Sequence, residues 1–194
     1  GRHNALNAAG VLTLLWKIGV DPHEAARALS GFAGVRRRFD LTGKVDGITV
    51  LDDYAHHPTE IAATIAAARS LDFKRICVVF QPHRYSRVGL FTDVLREEFA
   101  SAFDQADMVV FMDVYSAGET PIPGVTGATF MQPIVEHEGH PKDLTFVESR
   151  RDLVPFLVER LEPGDLVITM GAGDVTAVGP ELVVALEERA EGRE

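Results

Sequence analysis

Five short apolar segments that alternate with helical stretches constrain the fold more than any other feature of the sequence. Each holds four or five residues rich in Val, Ile, Leu, Phe or Met, and such continuous apolar runs are typical of strands buried on both faces. Alternation of strand and helix predicts an α/β fold, with a mainly parallel sheet and helices on both faces. The predicted strands are Ile48–Leu51, Ile76–Phe80, Met108–Met112, Leu144–Val147 and Leu166–Met170.

Helical patterns lie between and around these strands. One helix has a well-marked start, with Asp21 as the capping residue, Pro22 in the first position and Glu24 in the third. A basic segment flanked by glycine, residues 34–39, follows that helix and is predicted to be a linker. The predicted helices span residues 4–18, 24–29, 59–70, 90–102, 151–161 and 175–191, with a short one near 129–136 in the Gly- and Pro-rich segment 113–143.

The composition is that of an ordinary globular protein. Of the 194 residues, 46% are hydrophobic and 25% are charged, which is enough for a sizeable core. The 19 basic residues against 29 acidic ones give a formal net charge of −10, so we expect no nucleic-acid partner. No apolar run approaches the roughly 18 residues of a membrane span, so we expect no membrane partner. A single cysteine forms no intramolecular disulfide, which fits a cytoplasmic location.

Polar side chains are concentrated directly after the predicted strands. In an open parallel sheet the carboxyl ends of the strands lie at one edge, where ligands bind. A single polar loop would mean little, because loops in general are polar. Four of them, with three histidines, two arginines and two aspartates in the first two, indicate a binding site at that edge. The segments are Asp52–Pro58, Gln81–Arg87, Asp113–Tyr115 and Gly171–Asp174.

The first two of these segments are predicted to face each other. A single short helix connects the strands that precede them, so we expect those strands to be neighbours in the sheet. Tyr54 and His56 would then lie near His83, Arg84 and Arg87 across a narrow crevice. Such a crevice suits a small ligand with a carboxylate, because arginine can hold a carboxylate with two hydrogen bonds.

Other familiar patterns are incomplete. Gly43-Lys44 is followed by Val45 and lacks the upstream glycine of a P-loop, and Gly171-Ala172-Gly173 lacks the third glycine of a dinucleotide fingerprint. His56 and His57 are adjacent, so their side chains diverge and a shared metal is not expected. We therefore predict no metal ligand in this chain.

A further polar cluster lies near the beginning of the chain. His3 and Asn7, or Asn4 and Asn7, share one face of the first predicted helix. Two carboxamides can each offer a donor and an acceptor to a planar heterocycle such as adenine. Helix capping and solvent contact are the alternative interpretation, since these residue types are common at helix starts.

Three motifs occur in a fixed order along the chain, namely His3–Ala8, Gly34–Phe39 and Asp52–Glu60. Together they resemble the Mur ligase family, the ATP-dependent amino-acid ligases of peptidoglycan synthesis. Gln81–Arg87 and Tyr115–Glu119 narrow the resemblance to the members that join L-alanine to UDP-N-acetylmuramate. The resemblance extends over essentially the whole chain.

The resemblance implies a division of the chain into parts. Residues 1–33 would be the helical end of a central ATP-binding domain, and residues 34–47 a hinge and domain start. Residues 48–194 would be a C-terminal Rossmann-like domain that binds the amino acid. The uridine-binding domain, the P-loop and the upstream magnesium ligands would be missing, so the piece would be inactive alone. The absence of an initiator Met and of a signal peptide at residues 1–4 agrees with a piece of a longer protein.

The resemblance also implies a reaction. The cofactors would be ATP and Mg²⁺, and the carboxylate of UDP-N-acetylmuramate would be activated as an acyl phosphate that the amine of L-alanine attacks. His3, Asn4 and Asn7 would lie around the adenine. Arg38 would approach the γ-phosphate, and Asp53 would lie near the ribose or its surroundings.

For the amino acid, the resemblance and the residue types point to the same loops. Arg84 and Arg87 are the candidates for binding the carboxylate of alanine. Tyr54, His56 and His83 would line the same site and help to hold the α-amino group. A histidine could accept the proton of that group, but no particular residue is assigned as the general base.

Two other functions remain open from the sequence. The chain could belong to the related ligase that recycles murein by attaching an intact tripeptide, although Gln81–Arg87 is not expected there. It could also be a non-catalytic, Rossmann-like binding module.

Overall fold

The computed structural model describes residues 2–32 and 34–192, without the side chains of residues 2, 3 and 90–93. The chain divides into two compact units, Gly1–Arg36 and Arg37–Glu194. The assignment of residues 1–33 to a central ATP-binding domain stays a prediction.

The first unit contains two helices, α1 (Arg2–Lys17) and α2 (Pro22–Ser30). Both confirm the helical patterns of the sequence. The Asp21 side chain accepts hydrogen bonds from the backbone N–H groups of His23 and Glu24, at 2.8 and 3.0 Å, so it caps α2 as predicted.

The second unit is built on a six-stranded sheet with the order β1-β2-β6-β3-β4-β5. β1 is antiparallel to β2, and all other neighbours are parallel, which confirms the predicted fold class. The strands are β1 (Asp40–Val45), β2 (Ile48–Asp53), β3 (Arg75–Phe80), β4 (Met108–Met112), β5 (Asp143–Val147) and β6 (Asp165–Met170).

Strand β1 lies in the segment predicted to be a hinge. It forms a hairpin with β2 through Asp46-Gly47, whose φ angles of 50° and 74° are those of a tight two-residue turn. Gly43 lets the last helix, α8 (Val178–Glu191), approach this edge strand, because an added Cβ would lie 2.7 Å from Val183. The sequence prediction of a hinge and domain start over residues 34–47 lacks this strand.

The predicted order of the strands is also wrong at one point. β6 lies between β2 and β3, so segments 52–58 and 81–87 do not follow neighbouring strands. All six residues of β6 are buried, as a central strand requires. The connection from β2 to β3, through α3 (Pro58–Arg69), therefore passes over β6, the last strand of the chain.

Helices cover both faces of the sheet, as predicted. One core packs α3, α5 and α6 against the sheet through residues such as Ile65, Phe99 and Phe130. The other packs α7 and α8 through residues such as Leu157 and Leu186. The helices are α3 (Pro58–Arg69), α4 (Tyr85–Val94), α5 (Arg96–Ser101), α6 (Gly127–Val135), α7 (Arg150–Arg160) and α8 (Val178–Glu191).

Two helical predictions differ in detail from the structure. The helix predicted over residues 90–102 begins earlier, at Tyr85, and is interrupted at Leu95, so it forms α4 and α5. The last helix is preceded by a 3₁₀ turn at Asp174–Ala177. Among the described residues, no helix is both long and apolar enough to cross a membrane.

Candidate functional site

The carboxyl ends of the parallel strands bring the four polar segments to one edge of the sheet. β2, β6 and β3 end level with one another, since Met170 pairs with both Asp53 and Phe80. The segment after β4 joins them through a bridge between His83 and Tyr115. The sequence-based placement of these segments is confirmed.

Asp52 is the centre of a buried hydrogen-bond network. Its carboxylate accepts bonds from Arg37 Nε at 2.8 Å, Thr169 Oγ1 at 2.7 Å and Thr176 Oγ1 at 2.9 Å. Arg37 extends the network beyond β6, because its Nη2 donates to the Gly171 carbonyl at 2.7 Å. The network therefore ties β2, β6 and the 3₁₀ turn to the segment before β1.

Asp53 is also buried, with 5% of its surface exposed. Its two carboxylate oxygens accept hydrogen bonds from the backbone N–H groups of Phe39 and Ala55, both at 2.8 Å. Burial raises the pKa of Asp53, and the backbone hydrogen bonds act in the opposite direction. Asp53 thus anchors the backbone at the edge of the sheet, and its role near a ribose stays a prediction.

Arg38 lies between the two anchored residues Arg37 and Phe39 but is itself exposed. Its side chain is 55% exposed, and its guanidinium nitrogen is 3.8 Å from a carboxylate oxygen of Glu60. The neighbouring Arg37 side chain is only 26% exposed and is held by Asp52. Of the two arginines, Arg38 is the one that can reach an external anion.

Tyr54 and His56 form the first wall of the site. Their rings meet edge-on, with 5.4 Å between centroids, and the Arg37 guanidinium lies 5.0 Å from the Tyr54 ring centroid. His56 Nδ1 is 3.0 Å from the Tyr54 carbonyl oxygen and 3.7 Å from Glu60 Oε2. His57 instead caps the start of α3, so the two histidines diverge as expected.

His83 forms the opposite wall, although β6 separates its strand from β2. Its ring centroid is 6.3 Å from that of His56, and it stacks on Tyr115 at 5.7 Å. Its Nδ1 atom is buried without a hydrogen-bond partner among the described residues. Burial lowers the pKa of His83, and the positive charge of Arg87 lowers it further. The imidazole is therefore neutral at neutral pH.

The two predicted carboxylate-binding arginines follow His83. Arg84 has a positive φ of 68°, fixed by a hydrogen bond of 2.8 Å from its N–H to the Tyr115 carbonyl. Its guanidinium is only loosely paired, 3.7 Å from Glu119. Glu119 also accepts hydrogen bonds from the backbone and hydroxyl of Ser86, which lower its pKa. The half-buried Arg87 guanidinium makes no hydrogen bond or ion pair with the described part of the chain.

Below the two histidine rings lies a cavity of about 10 Å³. Its lining is mostly apolar and includes Phe80, Val88 and Phe130 in addition to His56 and His83. A space of this size holds about one methyl group or one water molecule.

The segment after β6 packs tightly against the other loops. Gln81 bonds to Asp174 Oδ1 at 2.7 Å and to the Val175 N–H at 3.0 Å. A Cβ at Gly173 would collide with the Gln81 amide oxygen and lie 2.6 Å from Tyr115 Cγ. The glycines here allow the loops to pack closely.

The remaining predicted residues lie in the first unit. Asn4 and Asn7 are at exposed positions of α1, and the side chain of His3 lies outside the described residues. Their proposed contact with adenine stays a prediction. Within residues 4–32, 34–89 and 94–192, no group of three or more His, Cys, Asp or Glu side chains could hold a metal ion.

Sequence reasoning assigned no role to Arg37, Asp52, Tyr115 or Glu119, all of which shape the site. Each stands beside or within a motif that had been noticed, so motif membership was the available signal. The different partners of the adjacent aspartates could not be predicted, because Asp52 and Asp53 are both buried in β2 and both are bonded within the fold.

With this geometry established, three comparisons place the chain among known proteins. It is 50% identical over 187 residues to a UDP-N-acetylmuramate–L-alanine ligase of Anaeromyxobacter dehalogenans, covering 96% of this chain and 39% of that protein. A crystal structure of UDP-N-acetylmuramate–alanine ligase from Thermotoga maritima has a TM-score of 0.70 at 30% identity, covering 100% of this chain and 39% of that one. A murein peptide ligase from Psychrobacter arcticus has a TM-score of 0.73 at 26% identity, covering 96% and 37%.

The chain thus spans about 39% of the length of the relatives it matches. Residues 37–173 match the family model described as Mur ligase, glutamate ligase domain. This range corresponds to most of the second compact unit and includes the whole cluster of histidines and arginines at the sheet edge. The chain belongs to the Mur ligase family.

Proposed function

We propose that this chain is the amino-acid-binding, C-terminal part of an ATP-dependent ligase that joins L-alanine to UDP-N-acetylmuramate. The observation that carries the proposal is the cluster of loosely paired arginines around the neutral His83 imidazole at the sheet edge. Arg84 lies 3.7 Å from its nearest carboxylate, and His83 has an unpartnered Nδ1 atom. A buried polar atom such as His83 Nδ1 is expensive to leave without a partner, and a ligand at this edge would supply one.

The carboxylate of alanine is the group that Arg87 and Arg84 suit best. Arg87 is half-buried beside His83, where a carboxylate would be shielded from water and held by charge-assisted hydrogen bonds. The small apolar cavity under His56 and His83 limits the side chain that fits there to about a methyl group. Both features favour a small α-amino acid.

The α-amino group must be neutral before it can attack a carbonyl carbon. His83 is neutral at neutral pH because burial and Arg87 lower its pKa, so a ring nitrogen can accept a hydrogen bond from the amine without adding a competing positive charge. Tyr54 and His56 line the other side, with the rings of His56 and His83 6.3 Å apart. These three side chains would orient the amine.

Arg38 and Asp53 belong to the nucleotide side of the proposed reaction. ATP, when bound, supplies the phosphoryl group that activates the carboxylate of UDP-N-acetylmuramate. Arg38 is exposed and could neutralise charge that develops on that group. Asp53 anchors Phe39, the residue that follows Arg38. His3, Asn4 and Asn7 would surround the adenine.

Other parts of the proposed ligase would supply what this chain does not. The described residues contain no group of three or more His, Cys, Asp or Glu side chains suited to Mg²⁺, whose ligands would lie in those other parts. UDP-N-acetylmuramate and the phosphates would be bound by the N-terminal and central domains of the same protein, in the cytoplasm.

The test is steady-state kinetics of the full-length ligase with each substrate varied separately. Arg87→Ala should raise the KM for L-alanine far more than the KM for ATP. The change in the alanine KM should correspond to about 2–5 kcal/mol of binding free energy, because a bound carboxylate would lose its partner. Arg84→Ala should act in the same way. The matched control is Arg69→Ala, at the opposite edge of the sheet, which should change neither constant.

Two results would contradict the proposal. If both Arg84→Ala and Arg87→Ala leave the alanine KM and kcat unchanged, the amino-acid site lies elsewhere. If the wild-type enzyme uses an intact tripeptide and not L-alanine, the chain belongs to a murein-recycling ligase.

A further inference from the structure

The three residues at the start of the second unit have an unusual backbone. Arg37 and Phe39 both adopt positive φ angles, 60° and 54°, although neither is glycine. Residues with a side chain avoid this region, so such a backbone persists only where other contacts hold it. Arg38 stands between them.

Strong contacts hold both flanking residues. The Arg37 carbonyl accepts a hydrogen bond of 2.7 Å from the Tyr54 N–H, and its guanidinium donates to Asp52 and Gly171. The Phe39 N–H donates to Asp53 Oδ2 at 2.8 Å. The adjacent carboxylates of β2 therefore each anchor one side of Arg38.

The side chain of Arg38 has no comparable anchor. It is 55% exposed, and its ion pair with Glu60 is long, at 3.8 Å. Asp52, by contrast, is 6% exposed and is fixed by the hydroxyls of Thr169 and Thr176. The position of Arg38 is therefore set by its backbone, and hence by its neighbours.

We propose that Arg37 is a positioning residue, which together with Asp52 holds the backbone on which Arg38 is presented to the transferring phosphoryl group. The inference rests on the proposed function only for the role of Arg38. The anchoring of the segment by Arg37 can be tested separately from any activity.

The first experiment measures amide hydrogen exchange in this chain by NMR. Arg37→Ala should speed exchange of the Tyr54 and Phe39 amides by about tenfold or more, with core amides of β3 unchanged. Arg37→Lys keeps the charge but cannot reach both Asp52 and Gly171, so it should give a smaller effect. Arg36→Ala is the control, because Arg36 is exposed and lies outside the second unit. Unchanged exchange in Arg37→Ala would overturn the proposal.

The second experiment is a double-mutant cycle in the full-length ligase. Arg37→Ala should lower kcat by about tenfold or more and leave the KM for L-alanine within about twofold. In the Arg38→Ala background it should have little further effect, because Arg37 acts through Arg38. If the two losses multiply, Arg37 acts independently and the proposal fails.

The two experiments separate the two proposals. A wild-type ligase that does not join L-alanine to UDP-N-acetylmuramate would refute the proposed function, while the exchange rates still decide whether Arg37 anchors the segment. Accelerated exchange together with non-multiplying losses in kcat would support both.

Discussion

The two ends of the parallel sheet carry different kinds of polar groups. At the amino end, Arg75 donates to both carboxylate oxygens of Asp165, at 2.9 and 2.6 Å, and to the Arg160 carbonyl at 2.9 Å. Asp107 accepts a hydrogen bond of 2.7 Å from Arg69 and another from a backbone N–H of β3. Asp165 and Asp107 are therefore satisfied within the fold.

At the carboxyl end, satisfied and unsatisfied groups stand side by side. The Asp52 network is as fully bonded as the amino end of the sheet. Across β6 from it, Arg84 is loosely paired, and His83 Nδ1 has no partner among the described residues. The bonded half holds the backbone in place, and the incomplete half is where a ligand can add bonds.

Hydrogen-bond completeness, more than polarity, therefore separates structural charges from binding charges. Both ends contain buried aspartates paired with partly exposed arginines, and the residue types alone do not tell them apart. The following changes test whether the ends differ as stated, in order of decreasing effect.

The largest effect is expected at the amino end. Arg75→Ala should lower the free energy of unfolding by about 3 kcal/mol, because it leaves a carboxylate buried without its cation. The Asp165 side chain is only 1% exposed. Urea denaturation measures the change, and the KM for L-alanine of the full-length ligase should stay as in the wild type.

A matched control is Arg69→Ala, which removes a more exposed ion pair at the same end. The Arg69 and Asp107 side chains are 36% and 38% exposed, so the loss should be below about 1 kcal/mol. Replacing Arg75 and Asp165 together by Met and Leu should restore most of the lost stability. Equal losses of stability in Arg75→Ala and Arg69→Ala would mean that burial does not determine how much these ion pairs contribute.

The second change should affect the rate of the reaction and leave stability almost unchanged. Arg38→Ala in the full-length ligase should lower kcat by roughly 10²-fold, if Arg38 stabilises developing charge. The free energy of unfolding of this variant should change by less than about 0.5 kcal/mol, since exposed side chains contribute little to stability. Rapid-quench or phosphate-release assays measure the rate, with Arg36→Ala as the control. A kcat within a few-fold of wild type would remove Arg38 from the reaction.

The strands were predictable because burial on both faces leaves a plain signal. Met108–Met112 agrees with the structure at both ends, since all five residues are apolar and buried. β1 gave no such signal, because it is an edge strand whose residues are exposed or half-exposed. The position of β6 between β2 and β3 depends on long-range packing that no local pattern records.

The site was predictable in outline for a similar reason. Tyr54, His56 and His83 were expected to meet because their segments were predicted to follow neighbouring strands. That reason is wrong, since β6 separates the two strands, but the side chains meet because all the parallel strands end at one edge. The bonding of Arg37 rather than Arg38 was not predictable, because it depends on the left-handed backbone of residue 37. Neighbouring residues of the same type are separated only by three-dimensional geometry.

The smallest expected effect concerns the pH dependence of stability. Burial, reinforced by Arg87, lowers the pKa of His83 in the folded protein below the usual value near 6.5. The folded state therefore resists protonation of this ring. The neutral His83 ring contributes stability that is fully present above pH 6.5 and is lost as the pH falls below that value.

Between pH 7.5 and 5.5, the His83→Gln variant should therefore lose less stability than the wild type. The expected difference is only about 0.5 kcal/mol, because solvent screens the half-exposed ring. Urea denaturation at both pH values measures this difference, and His23→Gln, at an exposed position of α2, is the control. If His83→Gln and the wild type lose the same stability, the surroundings of His83 do not oppose its protonation. The polar groups at the carboxyl end would then be as well satisfied as those at the amino end.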